Sequence, residues 1–255
     1  MEKNIIGFFD SGSGGLSVLR TFRVLAPEAD IVYFGDIKNA PYGTRSAEEL
    51  HTLARQGLIF LKQVGATHIV AACNSVSPSI LALDSGNIPM IEMSLPTARS
   101  LAQSGERRFL LLATPATISS RLYENAVEKC TTLDPLSIPD LARAIEYGDS
   151  QEEIRRIVRE ALTLRAGQTY HGVILGCTHY PLVHDIIAEE AAAVFGDVNL
   201  IDPAVAVASE AATLFDTNGT GQLTFYISSD EGSFRTRIAE LFPNEKYEVQ
   251  VLTSH

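Results

Sequence analysis

The chain has 255 residues, 45% of them apolar and 20% charged, with a net charge of −11. This suits one large globular domain or two modest ones, each with a real core. With no basic cluster beyond Arg107-Arg108 and Arg155-Arg156, nucleic acid is excluded as the main partner, because phosphate neutralisation needs a basic face.

In chain order, short apolar runs alternate with helical patterns. Strands are predicted at 5–9, 31–35, 68–72, 89–92, 109–112, 172–175, 198–201, 223–227 and 247–251. Helices are predicted at 14–26, 46–64, 78–85, 96–104, 117–129, 150–165, 181–195, 203–216 and 232–241. The alternation predicts an α/β fold of mostly parallel sheets flanked by helices, with ligands at the carboxyl ends of the strands. The N-terminus lacks the long apolar region of a signal peptide, and no run reaches the length of a membrane span. Three cysteines, odd in number and widely spaced, do not form a disulfide framework and fit a cytoplasmic protein.

Two segments repeat one device. His68–Ala72 and Gly172–Gly176 each run as an apolar strand into a cysteine, Cys73 or Cys177, followed by small polar residues and a proline, Pro78 or Pro181. Asp10, at the end of the first strand, precedes Cys73 by 63 positions, and Thr114 precedes Cys177 by the same 63. Equal spacing between matched units indicates an internal repeat of a whole α/β half. The expected organisation is two pseudo-symmetric domains, 1–94 with 204–255 and 95–203.

A free cysteine is usually a buried, inert thiol, and Cys130 is read that way, as a helix-end core residue. Two cysteines in matched positions at strand ends favour function, since backbone N–H groups and a helix dipole stabilise a thiolate there. No Cys-x-x-Cys or His-x-x-x-His pair completes a tetrahedral metal site. The loop Asp10-Ser11-Gly12-Ser13-Gly14-Gly15 has neither dinucleotide-fingerprint nor P-loop spacing. It reads either as a tight turn or as a cluster of N–H groups able to hold a carboxylate.

Two facing thiols can racemise an amino acid, one removing the Cα proton while the other protonates the opposite face. No lysine sits where pyridoxal phosphate would be held, so no cofactor is expected. Asn74, Ser75, Thr178, Ser11 and nearby N–H groups would then stabilise charge on the substrate carboxylate. Asp10 would poise one thiol and His179 the other.

These residues resemble the cofactor-independent aspartate/glutamate racemase superfamily, its glutamate racemases in particular. The matching signatures are Asp10-Ser11-Gly12-x-Gly14-Gly15, Pro41-Tyr42-Gly43, Cys73-Asn74-Ser75, Thr114-x-x-Thr117 and Gly176-Cys177-Thr178-His179-Tyr180-Pro181, with Tyr226-x-Ser228-x-Asp230 near the C-terminus. The resemblance implies two α/β domains with the active site between them, and Cys73 and Cys177 as the acid/base pair, one for each glutamate enantiomer. It implies glutamate contacts from Asp10, Ser11, Tyr42, Gly43, Asn74, Ser75, Thr114, Thr117 and Thr178, with His179 in support, and D-glutamate production for peptidoglycan. Serine stands at Ser75 where the family usually has threonine, and Glu92-Met93-Ser94-Leu95-Pro96 replaces its Glu-Pro-Gly turn. Residues 134–148 match poorly; Glu146 is a candidate for a family glutamate near the site, and its role is left open. The rival readings are a sister racemase acting on aspartate or another amino acid, a single-cysteine hydrolase or acyltransferase, and a non-catalytic binding module. The oligomeric state is left open, a homodimer being one option.

Overall fold

In the computed structural model, residues 4–83, 88–105, 107–229 and 232–252 are described. The chain begins β1 (Ile5–Asp10), α1 (Leu16–Leu25), β2 (Asp30–Gly35), α2 (Ala47–Gln63), β3 (His68–Ala71), α3 (Ser77–Ala82) and β4 (Met90–Ile91). It continues α4 (Ser94–Ser104), β5 (Arg108–Ala113), α5 (Pro115–Ser120), α6 (Leu122–Ala126), β6 (Thr132–Ser137), α7 (Leu141–Tyr147), α8 (Gln151–Thr163), β7 (Gly172–Gly176), α9 (His184–Phe195) and β8 (Asn199–Ile201). Last come α10 (Pro203–Leu214), β9 (Leu223–Ile227), α11 (Gly232–Leu241) and β10 (Glu248–Val251).

The near-continuous apolar runs of β1, β2, β3, β5 and β7 are what strands covered on both faces require. They form two all-parallel sheets, ordered β10-β9-β2-β1-β3-β4 and β6-β5-β7-β8. The order β2-β1-β3-β4 recurs as β6-β5-β7-β8, so the repeat seen in the cysteine spacing is a repeat of strand order. β9 and β10 extend the first sheet alone. Phe9 lies opposite Ala71 and Ala113 opposite Gly176, which brings Asp10 and Cys73 out at one sheet end, and Thr114 and Cys177 at the other.

Alternating side chains feed two cores per sheet. Phe8 and Tyr33 pack under α1, α10 and α11 through Leu19, Phe22, Val207 and Phe234, whereas Phe9 and Ile69 pack under α2 and α3 through Leu58, Leu61 and Ile80. In the second sheet Leu110 and Leu112 meet Ile145, Val158 and Ile187 of α7, α8 and α9. Phe109 and Leu111 meet Leu101 of α4 and Tyr123 of α6. Fully burying each such aliphatic or aromatic side chain contributes about 1.5–3 kcal/mol.

Several expectations need correction. The sequence reading placed no strand at β6 and no helix at α7. The predicted helix 117–129 is two short helices, because Arg121 adopts a left-handed conformation, φ 53°. The predicted helix 181–195 starts as a 3-10 turn at Tyr180–Val183. Cys130 is exposed, in a turn where Arg107 donates to its sulfur at 2.7 Å, because the helix meant to bury it ends at Ala126. The end of the predicted helix 78–85 and Asp230 lie outside the described residues. Among the described residues, no helix is long and apolar enough to cross a membrane.

Candidate active site

The site lies where the carboxyl ends of β1, β3, β5 and β7 meet. Asp10 ends β1 and is fully buried, accepting from the Gly12 N–H at 2.9 Å and from the Thr178 hydroxyl, beyond β7, at 3.2 Å. Burial raises the Asp10 carboxyl above its ordinary value, against the opposing pull of His179 and the N–H groups of Gly12 and Gly15. Cys73, beyond β3, is buried and its thiol points to Ser11 Oγ at 3.9 Å. Burial pushes this thiol well up, and the carboxylate of Asp10 adds to the shift.

Cys177 has a different environment. Its sulfur lies 3.8 Å from His179 Nδ1, and His179 Nε2 lies 2.6 Å from Glu146 Oε2 of α7. Glu146 also accepts from the Ser13 N–H at 3.1 and 3.2 Å and from the Ser13 hydroxyl at 2.7 Å. Burial opposes the Glu146 charge, but His179 and the Ser13 donors overcome it and hold this carboxyl at about 2. Burial likewise opposes a charged imidazole, yet the contacts with Cys177 and Glu146 raise His179 well above its ordinary value. The result is a buried ion pair with imidazolium facing Cys177.

The glycine loop makes this possible. A Cβ on Gly12 would lie 2.7 Å from Glu146 Oε1, and one on Gly14 would lie 2.6 Å from His179 Nδ1. Both sequence readings describe the loop: it turns tightly into α1, with the Leu16 N–H donating to the Ser13 carbonyl at 3.2 Å, and its Ser13 N–H holds a carboxylate, which is the protein's own. Tyr33 supports the loop from behind, donating to the Gly12 carbonyl at 2.7 Å.

Opposite this line lies a hydroxyl cluster. Ser75 Oγ is 2.9 Å from Thr114 Oγ1 and 3.5 Å from Thr117 Oγ1, and the two threonine oxygens are 3.0 Å apart. Thr114 also caps α5, accepting from the Thr117 N–H at 3.3 Å. Gly43 joins by its backbone, its carbonyl accepting the Ala116 N–H at 2.9 Å. Tyr42 is buried, but its hydroxyl is committed to Asp36 at 2.6 Å, so its side chain shapes the loop. Asn74 is buried, with its oxygen accepting from Tyr123 at 2.5 Å, while its Nδ2 has no partner among the described residues.

The profile of the Asp/Glu/hydantoin racemase family matches residues 17–211. The chain belongs to the Asp/Glu/hydantoin racemase family. It is 32% identical over 239 residues to glutamate racemase 3 of Caldanaerobacter subterraneus subsp. tengcongensis, covering 90% of this chain and 87% of that protein. Its fold superposes on a glutamate racemase isoform from Bacillus anthracis with a TM-score of 0.87, at 28% identity, covering 99% of this chain and 98% of the other. A glutamate racemase from Francisella tularensis solved with D-glutamate gives 0.84 at 27% identity, again covering 99% and 98%.

Sequence reasoning left the role of Glu146 open and missed Ser13 and Tyr123, which the structure places beside it and beside Asn74. Ser13 occupies the unspecified position of the glycine motif. Glu146 belongs to a short helix in the poorly matching stretch. The repeat held a usable signal, because β2 and the loop after it need counterparts between β5 and β7, where β6 and α7 stand.

Proposed function

We propose that this chain interconverts L- and D-glutamate by a two-base mechanism, with Cys73 and Cys177 on opposite faces of Cα, supplying D-glutamate for peptidoglycan. The observation that carries this reading is the pair of buried cysteines, one from each half, at strand ends that meet within a rim of hydrogen-bonding groups. One sulfur as thiolate takes the Cα proton and becomes a thiol. The other thiol then protonates the opposite face and becomes the thiolate, poised for the reverse reaction. Each unit of pKa mismatch between carbon acid and base adds about 1.4 kcal/mol. The carbanion therefore has to be stabilised through its carboxylate.

The residues divide the work. Asp10 stands beside Cys73, and the Glu146–His179 pair supports Cys177, giving the two thiols unlike settings for the two directions. The substrate-facing donors are Ser11, Asn74, Ser75, Thr114, Thr117 and Thr178, with Gly43 giving close backbone approach and Tyr42 holding that loop. Residues 1–94 with 204–255 form one domain of this scheme and 95–203 the other. Incubation with each glutamate enantiomer in heavy water should give deuterium at Cα together with the opposite enantiomer. Absence of exchange with both would sink the glutamate assignment, and exchange with aspartate instead would favour the sister activity.

A further inference from the structure

Asn74 presents an unusual balance. A carboxamide offers one acceptor oxygen and two donor hydrogens, and a buried donor without a partner is costly. Here the oxygen is satisfied by Tyr123 and the buried Nδ2 has no protein partner among the described residues. A hydroxyl donating to the oxygen forces the NH2 end the other way, away from Tyr123, within the segment that carries Cys73 and Ser75.

Tyr123 can do this because of where it is anchored. Its ring is fully buried in the second-half core with Leu101, Phe109 and Leu111. The left-handed Arg121 breaks α5 from α6, and the Ser120 hydroxyl accepts the Leu122 N–H at 3.2 Å as α6 starts in its new direction. Non-glycine residues at positive φ are held against strain and concentrate at functional sites. The Tyr123 hydroxyl thereby crosses from the second half to reach Asn74 of the first.

We propose that Tyr123 is a positioning residue that fixes the Asn74 carboxamide with its NH2 facing the cleft, ready for a substrate carboxylate. The inference rests on the proposed function, specifically on Asn74 as a carboxylate donor. Without the hydroxyl, the amide can turn in the free enzyme and only a fraction stays competent. Apparent affinity falls by that fraction, while bound substrate holds the amide correctly and turnover is preserved.

The test is a cycle of Tyr123→Phe, Asn74→Ala and the double variant, assayed for racemisation of both glutamate enantiomers, with circular dichroism and Tm for each. Tyr123→Phe should raise KM for both enantiomers about three- to tenfold, the span of one neutral hydrogen bond, with kcat within about twofold. The same change in the Asn74→Ala background should be silent. Additive effects, or a Tyr123→Phe loss confined to kcat, would overturn the assignment. Wild-type kinetics in Asn74→Ala would remove Asn74 as a carboxylate donor, and the inference with it, while leaving the two-thiol reaction standing. A wild type without racemase activity would fail the proposed function itself, and the inference that rests on it. If Tyr123→Phe does not fold, Asn74→Asp decides: an oxygen replacing the NH2 should raise KM beyond Asn74→Ala, and an equal or smaller rise would overturn the orientation.

Discussion

Glu146→Gln removes the charge from a buried pair and leaves His179 behind. The two side chains are buried, their polar atoms are 2.6 Å apart, and Ser13 adds further donors to the same carboxylate. A carboxyl held at about 2 instead of 4.5 corresponds to about 3 kcal/mol favouring the charged form in the folded protein. Stranding one member of a buried pair costs about 3–5 kcal/mol by a separate line of reasoning, so a loss of about 3 kcal/mol is expected near pH 7. Because the folded value lies below the unfolded one, the contribution is complete above about 4.5 and drains away as pH falls towards about 2. At pH 3 only part of the Glu146 contribution should remain. Asp10 works in the opposite sense: its raised carboxyl favours the folded state at low pH and loses that contribution as pH rises. Comparing wild type with variant at each pH cancels this to first order. Urea unfolding of both proteins at pH 7 and pH 3 measures the difference. A loss below about 1 kcal/mol at pH 7 would refute the ion pair; at pH 3 the variant also loses the partner that keeps His179 charged, so the loss there need not be smaller.

Cys73→Ala and Cys177→Ala should each lower racemisation by at least about a thousandfold, since removing one acid/base partner forfeits most of its catalytic contribution. Chiral chromatography after long incubation checks this, and full activity in either variant rules out the two-thiol scheme. Gly14→Ala places a methyl 2.6 Å from His179 Nδ1 and 2.7 Å from Thr178 Oγ1, so the halves cannot close fully. A fall in kcat/KM of about a hundredfold, as for a misplacement near 1 Å, is expected with little change in Tm; unchanged kinetics would show that the contact can relax. Ser75→Thr retains the hydroxyl that meets Thr114 and Thr117, and glutamate kinetics should stay within about threefold. A much larger loss would mean the added methyl meets substrate.

The apolar strands and the polar residues at their ends were legible because period, burial and chemistry coincide in them. Asp10, Cys73, Thr114 and Cys177 could be read before any coordinates for that reason. β6 was hidden because Thr132–Ser137 holds Asp134 and Pro135 within six residues, and only an edge strand, with a side free of ladder bonds, tolerates proline. α7 was hidden by length: seven residues give less than two full periods of hydrophobic pattern. The split between α5 and α6 depends on Arg121 at positive φ, which carries no glycine or asparagine to announce it. What escaped the sequence were contacts between halves, because Ser13 and Glu146 lie 133 positions apart and no local pattern couples them.

The chain crosses between the sheets twice, from β4 into α4 and back from β8 into α10. The crossings are neighbours, since α4 packs on α10 and Arg99 pairs with Glu210. Two adjacent covalent links constrain slide and twist of one half against the other more than rotation about the line that joins them. Both cysteines are buried at the junction, so a substrate reaching them has to part the contacts that join the halves. Ser13 to Glu146, Thr178 to Asp10 and Tyr123 to Asn74 all span the same junction, so parting the halves breaks these contacts together and rejoining them restores all three.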